Sequence, residues 1–475
     1  MNQKPFIKLF QTPNSYYCFD VNRNEMVELE KPVFQYLDQI MNGEEPQQGM
    51  PEELIQAKDD GYFSEESNVK HVMHPATEFI SDYLERRMLK LTLQVTQNCN
   101  FRCRYCVYSE ERNEMQRSHS LKNMDWETAK RAIDFLWEHS VDSNDVNIGF
   151  YGGEPLLQMG LIRQAVEYSE KLFEGKNLGF SITTNATLLN EDLVRYFDAH
   201  HVSLMISLDG PKDINDKNRV FKDGTGTYDT VMEKVAMVRT VAPEYAKSLQ
   251  ISMVMDPEND FDCINSIYVE EKDFDELFVS ATIVDQEYDG KKPNISESYA
   301  WKYRYQRFLA ILSYMGRVSR KNVTPIVYLP VVADIRHRFD IDIYPGLKET
   351  DAPGGPCNPG QLRLFCNVDG NFFPCERVSE TSALTCIGSL EKGVDIAAAK
   401  RFLNVGKVTE EQCRQCWSFR YCTMCGKKAD AGTDRMEAEK KLQHCSEVRG
   451  RTYDKMMIYL LFREIPYFYA DGGKP

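Results

Sequence analysis

The stretch LKLTLQVTQNCNFRCRYC, residues 89–106, decides the fold. Its first eight residues form an apolar, β-prone run of strand length. Three cysteines, Cys99, Cys103 and Cys106, follow at once in a C-x3-C-x2-C spacing. Five further runs of the same kind lie downstream: DVNIGFYGG (145–153), GFSITTN (179–185), VSLMISLDG (202–210), SLQISMVMD (248–256) and ELFVSATIVD (276–285). Helical patterns separate them at 126–139, 160–174, 191–200, 228–241 and about 260–270. Near-continuous apolar runs predict strands covered on both faces. Six strand–helix units predict a parallel α/β sheet with right-handed crossovers, either doubly wound or a partial barrel. In both architectures sites form at the carboxyl ends of strands, and that is where the three cysteines fall.

Working outward, residues 1–80 read as a separate module. Alternation in FIKLF and SYYCFDV predicts two strands, followed by an amphipathic helix at 31–41 and a short helix opening at Pro51. That order is winged-helix-like, and the polar stretch 64–77 reads as a linker. The α/β unit occupies 81–297, and an aromatic-rich helical bridge 298–355. The breaker APGGPCNPG (352–360) marks the boundary of a last region, 356–475, of short hairpins and loops closing on a helix near 451–463.

The 475 residues carry 57 Lys+Arg against 72 Asp+Glu, a net charge of -15. That balance argues against a nucleic-acid partner, whose phosphates need cations to neutralise them. No apolar run is long enough to cross a membrane and no signal peptide is evident, so a cytoplasmic protein is expected. Its 14 cysteines then need an explanation other than structural disulfides. Three sit in the first loop; nine lie between Cys357 and Cys445; only Cys18 and Cys263 fall outside both groups. Clustered cysteine in a reducing compartment reads first as metal ligation.

Three thiolates with no obvious fourth ligand suit a cubane iron–sulfur cluster with one iron left open; a zinc loop or free thiols are the plain alternatives. The spacing, with Tyr105 ahead of the last cysteine, resembles the signature of the radical S-adenosylmethionine (SAM) enzymes. That resemblance implies a partial (β/α)6 barrel. It also implies that Gly152, Gly153 and Glu154 of the GGEP segment hold the amino group of the cofactor's methionine portion, with Ser207 and Asp209 near its ribose. Arg219 would lie near its carboxylate, Tyr105 by the adenine, and Thr184 and Asn185 at the third strand's end are further candidates. The chemistry implied is one-electron cleavage of SAM and hydrogen abstraction by a 5′-deoxyadenosyl radical, with flavodoxin or ferredoxin as electron donor.

The second field, Cys357-x12-Gly370-x4-Cys375 then Cys413-x2-Cys416-x5-Cys422-x2-Cys425 and Cys445, resembles a SPASM extension, although the family's quartet ends with x3. The resemblance implies two auxiliary clusters, and so three [4Fe-4S] clusters in all. Cys413, Cys416, Cys422 and Cys445 would bind one; Cys357, Cys375 and Cys425 would bind the other. Cys366 either supplies its fourth ligand or leaves that iron open for substrate; Cys386 has no place. A pair of zinc ribbons is the rival reading of the same spacings, and a redox dithiol a weaker one.

A winged-helix-like module ahead of such an enzyme resembles the recognition element for leaders of ribosomally made peptides. Its groove is expected around residues 15–21 and the helix 31–41, taking the leader as an added strand. The whole chain thus resembles the maturases of ranthipeptides and sactipeptides, which form thioethers from peptide cysteines. Carbon–carbon crosslinks, epimerised residues and formylglycine are alternative products, and a zinc-bearing peptide-binding adaptor is the alternative of another class. His71, His74, His200 and His201 read as structural, the acidic stretch 44–60 as a solvated face, and the 456–462 run as a buried helix face.

Overall fold

The computed structural model describes residues 4–108, 115–267, 277–284, 294–337 and 340–465. The chain opens with an antiparallel meander, β1 (Ile7–Gln11), β2 (Tyr16–Asp20) and β3 (Glu25–Leu29). The third strand was not among the two expected: EMVEL carries two acidic residues in five, yet Asn24, at φ 58, turns the chain back onto β2. Consequently β2 is the central strand, paired on both edges. The groove expected at residues 15–21 therefore cannot accept an added strand; only β1 and β3 have a free edge.

Nor does this sheet stand apart. One face packs Ile7 and Cys18 against Val33, Leu37 and Leu54 of the helices Lys31–Asn42 and Glu52–Asp59. The other presses Phe10, Tyr17 and Phe19 onto Phe419, Tyr421, Met456 and Leu460 near the C-terminus. The polar stretch after it is also tied down. Within it β4 (His71–Val72) pairs with Thr350–Asp351, and Val72 N donates to Glu410 Oε1 at 2.6 Å. The helix Ile80–Arg86 then buries Ile80 and Leu84 in the main core.

That core surrounds six parallel strands: β5 (Lys90–Thr96), β6 (Asp145–Gly152), β7 (Asn177–Thr184), β8 (Val202–Ser207), β9 (Gln250–Met255) and β10 (Phe278–Ile283). Each neighbours the next in chain order, as right-handed strand–helix units require. The helices Trp126–Glu138, Met159–Leu172, Glu191–Ala199 and Tyr228–Val241 lie where their patterns predicted, and Asp125 and Asn190 cap the first and third. Phe261–Asn265 is the described part of the fifth; residues 268–270 lie outside the described residues. Burial is continuous along β5 but alternates along β8 and β9. Ser203, Ser207 and Ser252 take the half-buried positions.

The bridge is built of the helices Glu297–Tyr314 and Pro325–Arg336. After β11 (Thr350–Asp351), the cysteine-rich segment returns to the barrel. β12 (Leu364–Cys366) pairs in parallel with β5, and β13 (Asn371–Phe373), β14 (Gly388–Ser389) and β15 (Gly393–Val394) follow antiparallel. Ten strands thus form one sheet, with β12–β15 of the C-terminal region continuing it beyond β5. The helix Cys445–Glu464 closes the chain. Among the described residues no helix is long and apolar enough to cross a membrane.

Candidate active site

The first cysteine set follows the carboxyl end of β5; two more lie in the C-terminal region. The first loop leaves β5 and is gripped from both sides. Gly153 N donates to Thr96 O at 2.9 Å and Glu154 N to Asn98 O at 2.9 Å. A Cβ on Gly152 would stand 2.1 Å from Thr96 O, and one on Gly153 2.0 Å from Asn98 O. Gly152 also adopts φ 141, open only to glycine at low cost. These glycines thus let the end of β6 abut the cysteine loop itself. On the far side Arg102 N donates to Val220 O at 2.8 Å and Arg104 N to Asn218 O at 2.9 Å.

The grip brings Cys99, Cys103 and Cys106 within electrostatic reach of one another. Burial pushes the Cys99 and Cys103 thiols up to about 12, so they are protonated until a metal takes them. Sequence reasoning missed His119, whose Nε2 lies 3.7 Å from Cys106 Sγ. It stands beyond the segment whose motif was read.

Glu154, two residues past the end of β6, is buried. It accepts from Thr184 Oγ1 at 2.6 Å, Asn185 N at 2.8 Å and Leu156 N at 3.0 Å. Of about four lone-pair sites on a carboxylate one remains, which suits an ammonium donor. Burial raises its pKa against the pull of those three bonds. Asn185 Nδ2 donates to Asn100 Oδ1 at 2.8 Å, linking the end of β7 to the cysteine loop.

Asp209 and Arg219 are engaged with each other. Arg219 Nε lies 3.0 Å from Asp209 Oδ1, Tyr105 Oη donates to Asp209 Oδ2 at 2.5 Å, and Val254 N donates to Asp209 Oδ1 at 3.0 Å. Burial opposes the Arg219 charge, but Asp209, Tyr105 and Cys103 outweigh it and raise its pKa. The trio braces the loop at Cys103; Ser207 stays half-buried at the end of β8.

The second field divides into two sets. Cys413 and Cys416 act on both Cys422 and Cys445, so these four share one place. Lys441, 1% exposed, donates to Cys413 Sγ at 3.1 Å and to Thr409 Oγ1. A buried ammonium needs an anion beside it. Among the described residues no carboxylate pairs with Lys441, so four thiolates fit the need. Cys357, Cys375 and Cys425 form the other set.

Cys366 lies elsewhere. It sits on β12 inside the barrel core, and burial alone pushes its thiol up to about 12. Cys386 shares an apolar patch with Cys375 and reaches Gly388 O at 3.5 Å. No three His, Cys, Asp or Glu side chains among the described residues converge on a single-ion point. Thiol-only donor sets of this kind suit iron–sulfur clusters and structural zinc alike.

The sequence model of the radical SAM superfamily matches residues 93–267, from β5 through β9 and beyond. An uncharacterized protein of Methanocaldococcus jannaschii is 32% identical over 304 residues, 64% of this chain and 89% of that protein. Residues 93–267 thus form a radical SAM domain. The chain is also homologous to peptide maturases of that superfamily. A cysteine-type anaerobic sulfatase-maturating enzyme of Clostridium perfringens is 26% identical over 355 residues, 68% of this chain and 84% of the enzyme. The solved structure of native anSMEcpe with bound AdoMet superposes at a TM-score of 0.56 and 18% identity, across 79% of this chain and 100% of that one. At that identity it shows the shared fold.

Proposed function

We propose that this radical SAM protein modifies a ribosomally made, cysteine-containing peptide, joining a cysteine sulfur to carbon as a thioether. Cys99, Cys103 and Cys106 hold the first cluster, and Glu154 with Thr184 and Asn185 receives the amino end of SAM. When bound, cluster and SAM together supply one-electron bond cleavage and hydrogen-atom abstraction. The protein's part is to fix positions: the glycine contact sets the loop, and Tyr105–Asp209–Arg219 holds Cys103 in place.

The carrying observation is the unequal ligand count of the two auxiliary sets. Cys413, Cys416, Cys422 and Cys445 make four, whereas Cys357, Cys375 and Cys425 make three, with Cys366 in the barrel core. A three-thiolate cluster leaves an iron for a substrate sulfur. The leader would add to the edge of β1 or β3. Formylglycine is the second reading, favoured by homology to a cysteine-type sulfatase-maturating enzyme.

Anaerobic reaction with a cysteine-containing precursor, followed by alkylation and mass analysis, tests this. Loss of two hydrogens with blocked alkylation is the expected result. An aldehyde-reactive product with the sulfur gone would establish formylglycine instead. Material without iron or acid-labile sulfide would leave only the zinc-bearing adaptor.

A further inference from the structure

Lys441 is a buried cation in hydrogen-bond contact with a thiol, and the sequence motifs did not single it out. It sits on the short helix Ala438–Leu442 just before Cys445, and both groups it meets, Thr409 Oγ1 and Cys413 Sγ, are uncharged or sulfur. Thr409 is itself 3% exposed and lies 3.3 Å from Cys413 Sγ, so the ammonium is held in place from two sides. Its charge pulls on Cys422 and Cys445 as well, against the burial that pushes the Cys422 thiol up to about 11. Arg449 also acts on Cys445 but is exposed, where water and salt screen it.

The three-thiol set has mixed surroundings. Glu376 follows Cys375 directly and acts on both Cys375 and Cys357 with the sign of an added negative charge, while Arg363 acts on Cys357 with the opposite sign. Arg363 also pairs with Glu376 itself at 2.8 Å, and it is not buried as Lys441 is. Reduction adds one electron to a cluster, and neither a bond nor a proton need change place. A fixed positive charge in a desolvated setting favours that electron, and a fixed negative charge opposes it.

We infer that Lys441 is a built-in counter-charge that raises the reduction potential of the cluster bound by Cys413, Cys416, Cys422 and Cys445 above that of the cluster at Cys357, Cys375 and Cys425. When loaded, the first set would hold the more readily reduced of the two auxiliary clusters. The inference rests on the reading of these sets as iron–sulfur ligands.

The test is an EPR-monitored potentiometric titration, with dithionite and mediators, of the reconstituted full chain as wild type, Lys441→Met and Lys441→Arg. In Lys441→Met one cluster signal should become at least tenfold harder to reduce at a given potential, a shift of about 59 mV for one electron. The other signals should stay in place. Lys441→Arg, which keeps the charge, should hold the wild-type potential or recover most of the shift.

If Lys441→Met instead loses about four irons per chain while Lys441→Arg keeps them, the same counter-charge role is supported at the level of binding. Equal loss in both variants, or full iron content with every signal unmoved, overturns the inference. Wild-type protein without any cluster signal would refute the ligand reading itself, a distinguishable outcome.

Discussion

Replacing Gly153 by alanine puts the contact between β6 and the first cysteine loop to a quantitative test. The new Cβ would stand 2.0 Å from Asn98 O and 3.0 Å from Cys99 N, both backbone atoms that no side-chain rotation can move aside. To reach an ordinary contact of 3.4 Å the two segments must part by about 1.4 Å. Overpacking of this kind costs about 1–3 kcal/mol. The separation also breaks Gly153 N to Thr96 O and Glu154 N to Asn98 O, each 2.9 Å, at about 1 kcal/mol apiece. The expected loss is therefore about 3–5 kcal/mol, a large share of a typical 5–15 kcal/mol stability. Because Cys99 is the next residue along, the loop should also lose its hold on iron. Gly160→Ala is the control. Nothing lies within 4 Å of that Cβ, and an alanine inside the helix Met159–Leu172 should stabilise by about 0.5–1 kcal/mol. Urea denaturation and iron analysis of anaerobically reconstituted protein read both quantities. Wild-type stability and iron content in Gly153→Ala would refute the reasoning.

Tyr105→Phe removes the 2.5 Å bond to the buried Asp209 and should cost about 1.5–3 kcal/mol in urea unfolding. Arg219→Ala should cost more, about 3–5 kcal/mol, because Asp209 would keep a buried charge without its cation; equal effects would show that the ion pair is not the stronger member. Cys366→Ala should keep the full iron and sulfide content, since Cys366 lies in the barrel core, whereas Cys375→Ala should lose about four irons. Cys386→Ala should also keep its iron, and a loss there would fill the open corner on which the thioether proposal depends. For Glu154, whose pKa burial raises above the ordinary 4.5, the folded state holds a proton more tightly than the unfolded one. In cofactor-free protein its contribution to stability is then greatest at low pH and declines as pH rises from 4.5 through the raised value. Glu154→Gln should lack that decline, and identical pH profiles of urea stability would contradict it.

Much of the barrel was legible because its signal is local. Each of the six strand runs and the helices between them carries its own periodicity, and the observed ends fall within a few residues of the expected ones. The cysteine sets were legible for the same reason, as spacings within short segments. What escaped depends on partners far away in the chain. β3 is a strand only because β2 offers it an edge, and β2 is central only because of β3. Arg219 meets Asp209 through the fold of β8 and the helix Lys212–Asn218, a pairing no motif specifies. Lys441 gains its meaning from Thr409 and Cys413. Whether Cys366 ligates was open from its spacing; β12 joins β5 and carries it into the core.

The near-continuous apolar run SYYCFDV deserved the reading given to the barrel strands, as a strand covered on both faces. Its alternate side chains serve two cores: Cys18 packs toward the helix Lys31–Asn42, while Tyr17 and Phe19 pack toward Phe419, Tyr421 and the helix Cys445–Glu464. The second core is contiguous with the cysteine field, since Cys413 and Trp417 lie against it. A peptide added to the edge of this sheet would therefore be held at a fixed place relative to the clusters, instead of being delivered on a tether. Binding energy gained at the leader could then be spent on orienting the reacting residue, which a free tether would largely lose as entropy. Polar bonds reinforce the same joint: Arg463 Nη1 donates to Met26 O at 2.7 Å, and Tyr421 Oη to Asn24 Oδ1 at 2.8 Å. The double variant Tyr17→Ala/Phe19→Ala would hollow out that joint while leaving every cysteine in place. It should lower turnover of the full precursor far more than cluster content, and equal losses of both would mean that the sheet serves only to stabilise the cysteine field.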